Sequence, residues 1–359
     1  MRKKKVLVLM HADLVPPDDI AGKPDAEVLE YKTEYDVVTG LRDLGHEVQP
    51  LGLYDDLTPL RGAIQNFKPH IVFNLLEEFR GEPMLDQNVV SYLELVQVPY
   101  TGCNPRGLMI ARDKALSKII LHHHRIRVPR FAVVPAGRKL RRKPARLEYP
   151  IIVKSQVDEA SLGIAEASLV NNDEKLSERI EFMHTKVGTS LILEQYVDGR
   201  ELYVGVMGNS RLQVLPVWEL EIQRLRSDAP KIATRQVKWN RKFQERRGVE
   251  LGPARDLPPE LERLLVKTTK RLYRLLQLSG YARVDFRLDE EGRPYFLEAN
   301  PNPEMATARN SPKPPKLLAS TTNRCSIALS PSGSGSVSTR RGRMRIATGC
   351  GSTRPGGID

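Results

Sequence analysis

The chain opens on a continuously apolar run, residues 5–10 (KVLVLM), of the kind buried on both faces within a parallel sheet. Across residues 25–44 the apolar positions Val28, Tyr31, Tyr35, Val38 and Leu41 recur at helical spacing, and Gly45 supplies a stop. Further short strands are expected at 48–51, Ile71–Asn74 and 98–101, with helices over 60–66 and 86–96 between them. Strands alternating with helices predict a parallel sheet covered on both faces.

Beyond Asn104 the texture changes. A helix over 113–123, an extended run over 128–134 and a basic connection over 138–146 lead to a strand at 150–154. A helix at 173–186, a strand at 190–195 and a hairpin of 203–208 with 212–217 around Gly208-Asn209 come next. Residues 225–256 are polar and basic, too long for a tight connection, and predict a functional loop. An amphipathic helix over 258–278 precedes two strands, 281–289 and 294–299, that turn at Glu290-Glu291-Gly292-Arg293.

Composition alters this picture mainly at the end. The 359 residues carry a formal charge of +12, but nine Lys/Arg and one acid fall in residues 306–359, which leaves the preceding part nearly balanced. A nucleic-acid partner is therefore not expected, because a basic face on the folded part would be needed. Residues 306–359 have no aromatic side chain and consist largely of Ser, Gly, Pro, Thr and Arg. Such a segment buries too little apolar surface to offset its ordering entropy, so a disordered tail is expected. A shift of reading frame near Glu304 is the favoured explanation of the break, since suitably chosen codons read in another frame would encode an amphipathic helix, a turn and a second helix; a basic tail that tethers the protein to RNA or an acidic surface is the competing one. No apolar stretch reaches the roughly 18 residues of a membrane span, and the first is too short for a secretory signal. Cys103, Cys325 and Cys350 have no metal-ligand spacing. A cytoplasmic protein is expected.

The chemistry concentrates in residues 280–303, GYARVDFRLDEEGRPYFLEANPNP. On paired antiparallel strands Asp285 and Glu298 can meet across the ladder, with Asn300 two residues on and on the same face. Two carboxylates and an amide oxygen suit Mg²⁺ shared with nucleotide phosphates. Arg283 shares that face, placed for phosphate or a developing oxyanion. A solvated hairpin with a surface ion pair explains the same residues equally well. Lys154 ends an apolar strand and is followed by a loop whose Ser161 and Gly163 could bring backbone N–H groups to phosphates. Further on, an apolar strand reaches Glu194 and runs through Tyr196 and Val197 to Glu201, a segment able to grip adenine by its backbone and ribose by its acid.

In order along the chain, Lys118 in DKALSK, Lys154 in IIVKS, LEQYVDGRE, RVDF and FLEANPNP resemble the ATP-grasp superfamily, nearest to the D-alanine–D-alanine ligases. VFNLLEEFRGEP and DQNVVSYLELVQVPYTGC add to the likeness, which covers residues 1 to about 305. The resemblance implies an N-terminal Rossmann-like parallel α/β domain (1–105) and two α+β subdomains, central (106–192) and catalytic (193–305), that grip ATP between them. It implies that Lys118 and Lys154 contact ATP phosphates, that Glu194, Tyr196, Val197 and Glu201 bind adenine and ribose, and that Ser161 and Gly163 belong to the phosphate loop. By the same likeness Asp285, Glu298 and Asn300 hold Mg²⁺ or Mn²⁺, Arg283 lies over the tetrahedral intermediate, and Lys238 reaches the γ-phosphate. The activity implied is an ATP-dependent carboxylate–amine ligase acting through an acylphosphate. Its partners would be an amino-acid or peptide substrate, without membrane, and a homodimer stays open.

Departures gather on the substrate side. HADLVPPDD stands where the family has a Gly-Gly-x-Ser turn, and Glu77-Glu78 replace a His-Gly dipeptide. Glu159-Ala160 occupy positions usually Gly and Ser, and KIATRQV replaces a tyrosine-bearing loop. The family's first-substrate glutamate falls near Glu27 without a fixed register, and its later serine has no counterpart after Met305. A degenerate nucleotide-binding module without turnover is the alternative function.

Overall fold

The computed structural model describes residues 3–157, 166–223 and 241–303. Ser161, Gly163, Lys238 and the tail at 306–359 lie outside the described residues.

Strands β1 (Lys5–His11), β2 (Glu47–Leu53) and β3 (Ile71–Asn74) form a parallel sheet in the order β2-β1-β3. Its middle strand has Val6 through Met10 wholly buried, because helices cover both faces. Helix Lys32–Asp43 packs Val38 and Leu41 on one face, and helices Thr58–Phe67 and Asp86–Leu95 pack Leu60 and Leu93 on the other. The helix expected over 25–44 is broken at the buried Tyr31 (φ −119°, ψ 20°) into Asp25–Glu30 and Lys32–Asp43. The strand expected at 98–101 shrinks to a single parallel bridge, Val72 with Tyr100. Pro99 has no N–H to extend that ladder.

Strands β4 (Phe131–Val134), β5 (Ile151–Ser155), β6 (Leu169–Val170) and β7 (Leu191–Gln195) make a four-stranded antiparallel sheet ordered β4-β7-β5-β6. One face, with Ile151, Val153, Leu191 and Leu193, packs on helix Asp173–Val187. That helix is capped by Asn172, whose side chain accepts from Lys175 N, and ends at Gly188 with φ 72°.

The third sheet is built from β8 (Arg200–Met207), β9 (Gln213–Ile222), β10 (Val249–Pro253), β11 (Tyr281–Leu288) and β12 (Pro294–Pro301), in the order β10-β9-β8-β11-β12. Leu202, Val204, Val284 and Phe286 pack from it on helix Pro259–Leu275. The long loop expected over 225–256 is corrected where it is described: helix Arg241–Arg247 and strand β10 occupy part of it. Phe243 is its one apolar residue, so no apolar period announces it. Helix Pro105–Arg112 was also absent from the sequence reading, although Asn104 caps it through Gly107 N and Pro105 takes its first position. No helix among the described residues is long and apolar enough to cross a membrane.

Candidate active site

The second and third sheets turn their remaining faces toward one cleft. Alternation along β5 and β7 sends Ile151, Val153 and Leu193 into the core and leaves Lys154 and Glu194 on the cleft side, on adjacent strands. Lys118 reaches the same point from helix Lys114–His123. Asp113 caps that helix, accepting from Ala115 N and Leu116 N at 2.9 Å, and also receives the Gln156 amide, which ties the helix start to the end of β5.

Lys118, Glu194 and Lys154 form a buried triad. Glu194 Oε1 lies 2.8 Å from Lys118 Nζ, and its Oε2 accepts from Lys154 Nζ at 2.8 Å. Burial alone would raise the Glu194 carboxyl, but the two ammonium groups outweigh it and hold the group at about 2. Lys118 is shifted down, chiefly by burial, while Lys154 is shifted up because Glu194 and Glu298 overcome its desolvation. A second partner of Lys118 is the carbonyl of Leu297. The ladder between β11 and β12 slips there: Asp285 stands opposite Glu298 and Phe286 opposite Phe296, so Leu297 is the extra residue of a bulge.

Across the cleft, Asp285, Glu298 and Asn300 share a face as the sequence predicts, with Asp285 paired to Glu298 and Arg283 to Asn300. The Arg283 guanidinium forks onto Asp285, Nε to Oδ1 at 2.7 Å and Nη2 to Oδ2 at 3.0 Å, and Asn300 Nδ2 donates to Asp285 Oδ2 at 3.2 Å. Desolvation opposes the Arg283 charge, yet Asp285 keeps it well above its ordinary value. Glu298 favours the charged forms of Lys118, Lys154 and Arg283 alike, which marks the two clusters as walls of one site. Among the described residues no three His, Cys, Asp or Glu side chains gather as a metal site. Two carboxylates and an amide form an all-oxygen set that fits Mg²⁺ only where phosphate or water oxygens complete the shell.

Glu201 is buried and already engaged. Its Oε1 accepts from the Tyr203 hydroxyl and its Oε2 from Arg287 Nη2, both at 2.8 Å. Arg287 also donates to the Gly199 carbonyl at 3.2 Å and lies 5.9 Å from the Tyr196 ring centroid, so it fastens the segment that contains Tyr196, Val197 and Glu201. A cavity of about 240 Å³ opens beside Glu201, lined by Arg200, Glu219, Leu220, Ile222 and Arg287. Arg287 and Tyr203 escaped the sequence reading. The signal was present, since Arg287 continues the alternation Arg283, Asp285 and Tyr203 continues that of Glu201.

At the end of β1, His11 Nε2 lies 3.4 Å from Glu78 Oε1, and its ring meets Tyr54 edge-on. Glu27 pairs with Lys23 on the helix Asp25–Glu30.

Comparison with known proteins accords with this geometry. The family described as D-ala D-ala ligase C-terminus matches residues 122–316. The chain is 30% identical over 283 residues to the uncharacterized protein y4sG of Sinorhizobium fredii, covering 76% of this chain and 78% of that one. With the D-alanine–D-alanine ligase of Bordetella petrii it shares 31% identity over 238 residues, 66% of this chain and 67% of the relative. The fold is similar to that of D-alanine–D-alanine ligase from Bacillus anthracis complexed with ATP, with TM-score 0.66 at 20% identity over 91% of this chain and 98% of the other. It is likewise similar to VanG D-Ala:D-Ser ligase from Enterococcus faecalis, with TM-score 0.64 at 18% identity over 91% and 99% of the two chains. With this family match over more than half of the chain and these relatives, the chain belongs to the D-alanine–D-alanine ligase family of ATP-grasp proteins.

Proposed function

We propose that the protein is an ATP- and Mg²⁺-dependent ligase that joins the carboxylate of one amino acid or peptide to the amine of another. The observation that carries this reading is the placement of the Lys118–Glu194–Lys154 triad opposite Asp285, Glu298 and Asn300 across one cleft. In this reading Lys118 and Lys154 turn from Glu194 toward ATP phosphates, with Ser161, Gly163 and Lys238 assisting. The segment of Glu194, Tyr196 and Val197 takes adenine, and Glu201 takes the ribose hydroxyls.

Asp285, Glu298 and Asn300 would hold Mg²⁺, which supplies charge neutralisation at the phosphates. A substrate carboxylate oxygen attacks the γ-phosphorus and ADP departs, leaving an acylphosphate. The amine of the second substrate then attacks the acyl carbon, inorganic phosphate leaves and the nitrogen loses a proton. Arg283 offers N–H donors to the γ-phosphoryl group in the first step and to the oxyanion of the second. The residues contribute position and charge rather than covalent chemistry, as phosphoryl transfer requires.

The substrate class stays amino acid or peptide, because His11, Glu77 and Glu78 stand at the departures from the family pattern. The test is ADP release from Mg·ATP over a panel of amino acids and dipeptides of both configurations. Stimulation by a pair that also yields a condensed product supports the reading. ATP binding with no stimulation by any pair would show a nucleotide-binding module instead.

A further inference from the structure

Six residues form a grid on the cleft face of β8 and β11. Glu201, Tyr203 and Gly205 stand directly opposite Arg287, Asp285 and Arg283. Tyr203 occupies the centre of the grid and is nearly buried. Its hydroxyl donates to Glu201 Oε1 at 2.8 Å, and its ring carries the Arg283 guanidinium, whose carbon lies 4.9 Å from the centroid. The guanidinium leans over the tyrosine while it stays forked on Asp285, and the space above Gly205, opposite Arg283, is taken by the Leu215 side chain. Away from bulk water, both a hydrogen bond to a carboxylate and a cation over a ring gain in strength. The phenol is the donor of this pair and the carboxylate oxygen the acceptor.

We propose that Tyr203 is a positioning residue that links the two ends of the nucleotide site, its hydroxyl orienting Glu201 for the ribose and its ring orienting Arg283 for the reacting phosphoryl group. This rests on the reading of the cleft as an ATP site and adds to it a residue that acts through Glu201 and Arg283. The two functions sit on different atoms of one side chain, so two substitutions separate them. Tyr203→Phe removes the hydroxyl and keeps the ring; Tyr203→Leu removes both.

The experiment is calorimetric titration of the full-length protein and both variants with Mg·ADP and Mg·ATP. ADP has the ribose without the γ-phosphoryl group. Tyr203→Phe should weaken ADP and ATP alike, by about five- to tenfold, the size expected for a lost bond that orients a charged acceptor. Tyr203→Leu should weaken ATP about two- to fivefold more than it weakens ADP, the size of a cation–ring contact. General loosening would shift both nucleotides in step, so the ATP/ADP ratio is the decisive readout. Wild-type affinity in Tyr203→Phe, or an unchanged ratio in Tyr203→Leu, overturns the proposal. If Tyr203→Leu does not fold, Tyr203→Phe is compared with wild type on ADP and 2′,3′-dideoxy-ADP. Reduced discrimination between them supports the proposal and unchanged discrimination overturns it. A wild-type protein that binds neither nucleotide overturns this proposal and the ATP-site reading together. The expected pattern without ADP release on any substrate pair leaves Tyr203 in its role and removes only the ligase activity.

Discussion

Lys118 and Glu194 meet at 2.8 Å with both side chains closed off from solvent, and the lysine is also bonded to a carbonyl of the opposing sheet at Leu297. One side chain thus bridges the two walls of the cleft. An ammonium group is costly to bury unpaired, so the pairing with Glu194 is a condition of keeping Lys118 in place.

Glu194→Gln should therefore destabilise the fold by about 3 kcal/mol, since it leaves two lysines, one of them fully buried, without their counter-charge. Urea denaturation of wild type and variant checks this. A loss near zero would mean that water reaches the triad freely.

The same acid sets a pH dependence. Its carboxyl ionises at about 2 in the fold against an ordinary 4.5, so its contribution to stability is complete above about 4.5 and is lost as pH falls toward 2. Wild type should lose stability across that window, and Glu194→Gln should show a flatter acid limb. Parallel pH profiles of the two proteins would contradict the assignment.

Arg287 and Glu201 form a second buried pair, with side-chain exposures of 5% and 8%. Arg287→Met should cost about 3 kcal/mol by stranding Glu201, and adding Glu201→Met should recover much of that loss. Melting of the two single variants and the double variant completes the cycle. Strictly additive losses would show that the pair is not coupled.

How far the site was legible follows from these pairs. The meeting of Asp285 with Glu298 could be read from alternation, because two strands joined by a short turn fix their own register. The Leu297 bulge that offers a carbonyl to Lys118 could not, since an extra residue leaves no mark in an apolar pattern. The identity of Lys118 and Lys154 as neighbours was legible only through family resemblance, as they are 36 residues apart and on different elements. Tyr203 and Arg287 sat on faces already marked as functional and were readable by the same arithmetic. Pro99 and helix Arg241–Arg247 show the opposite failures, an apolar run that pairs at a single bridge and a helix with one apolar residue.

The junction of the parallel sheet with β12 is set by one close approach. Asn302 Oδ1 accepts from Cys103 N at 2.7 Å, and a Cβ built on Gly102 (φ 94°) would lie 2.5 Å from that same oxygen. Gly102→Ala should cost about 1–3 kcal/mol through strained backbone and the displaced amide, whereas Asn302→Ala should cost less. Denaturant midpoints check the order, and a neutral Gly102→Ala would show that the junction yields.

The central claim is that a substrate carboxylate attacks the γ-phosphoryl group in the cleft between Lys118, Lys154 and Asp285. Its most direct test is turnover of Mg·ATP with a pool of amino acids and dipeptides labelled with ¹⁸O in their carboxylates, followed by mass analysis of the inorganic phosphate. An acylphosphate that is opened by an amine passes one carboxylate oxygen to phosphate, so the account predicts one ¹⁸O per phosphate released. Phosphate released at the same rate without label would mean that water attacks ATP, and would contradict the ligase mechanism.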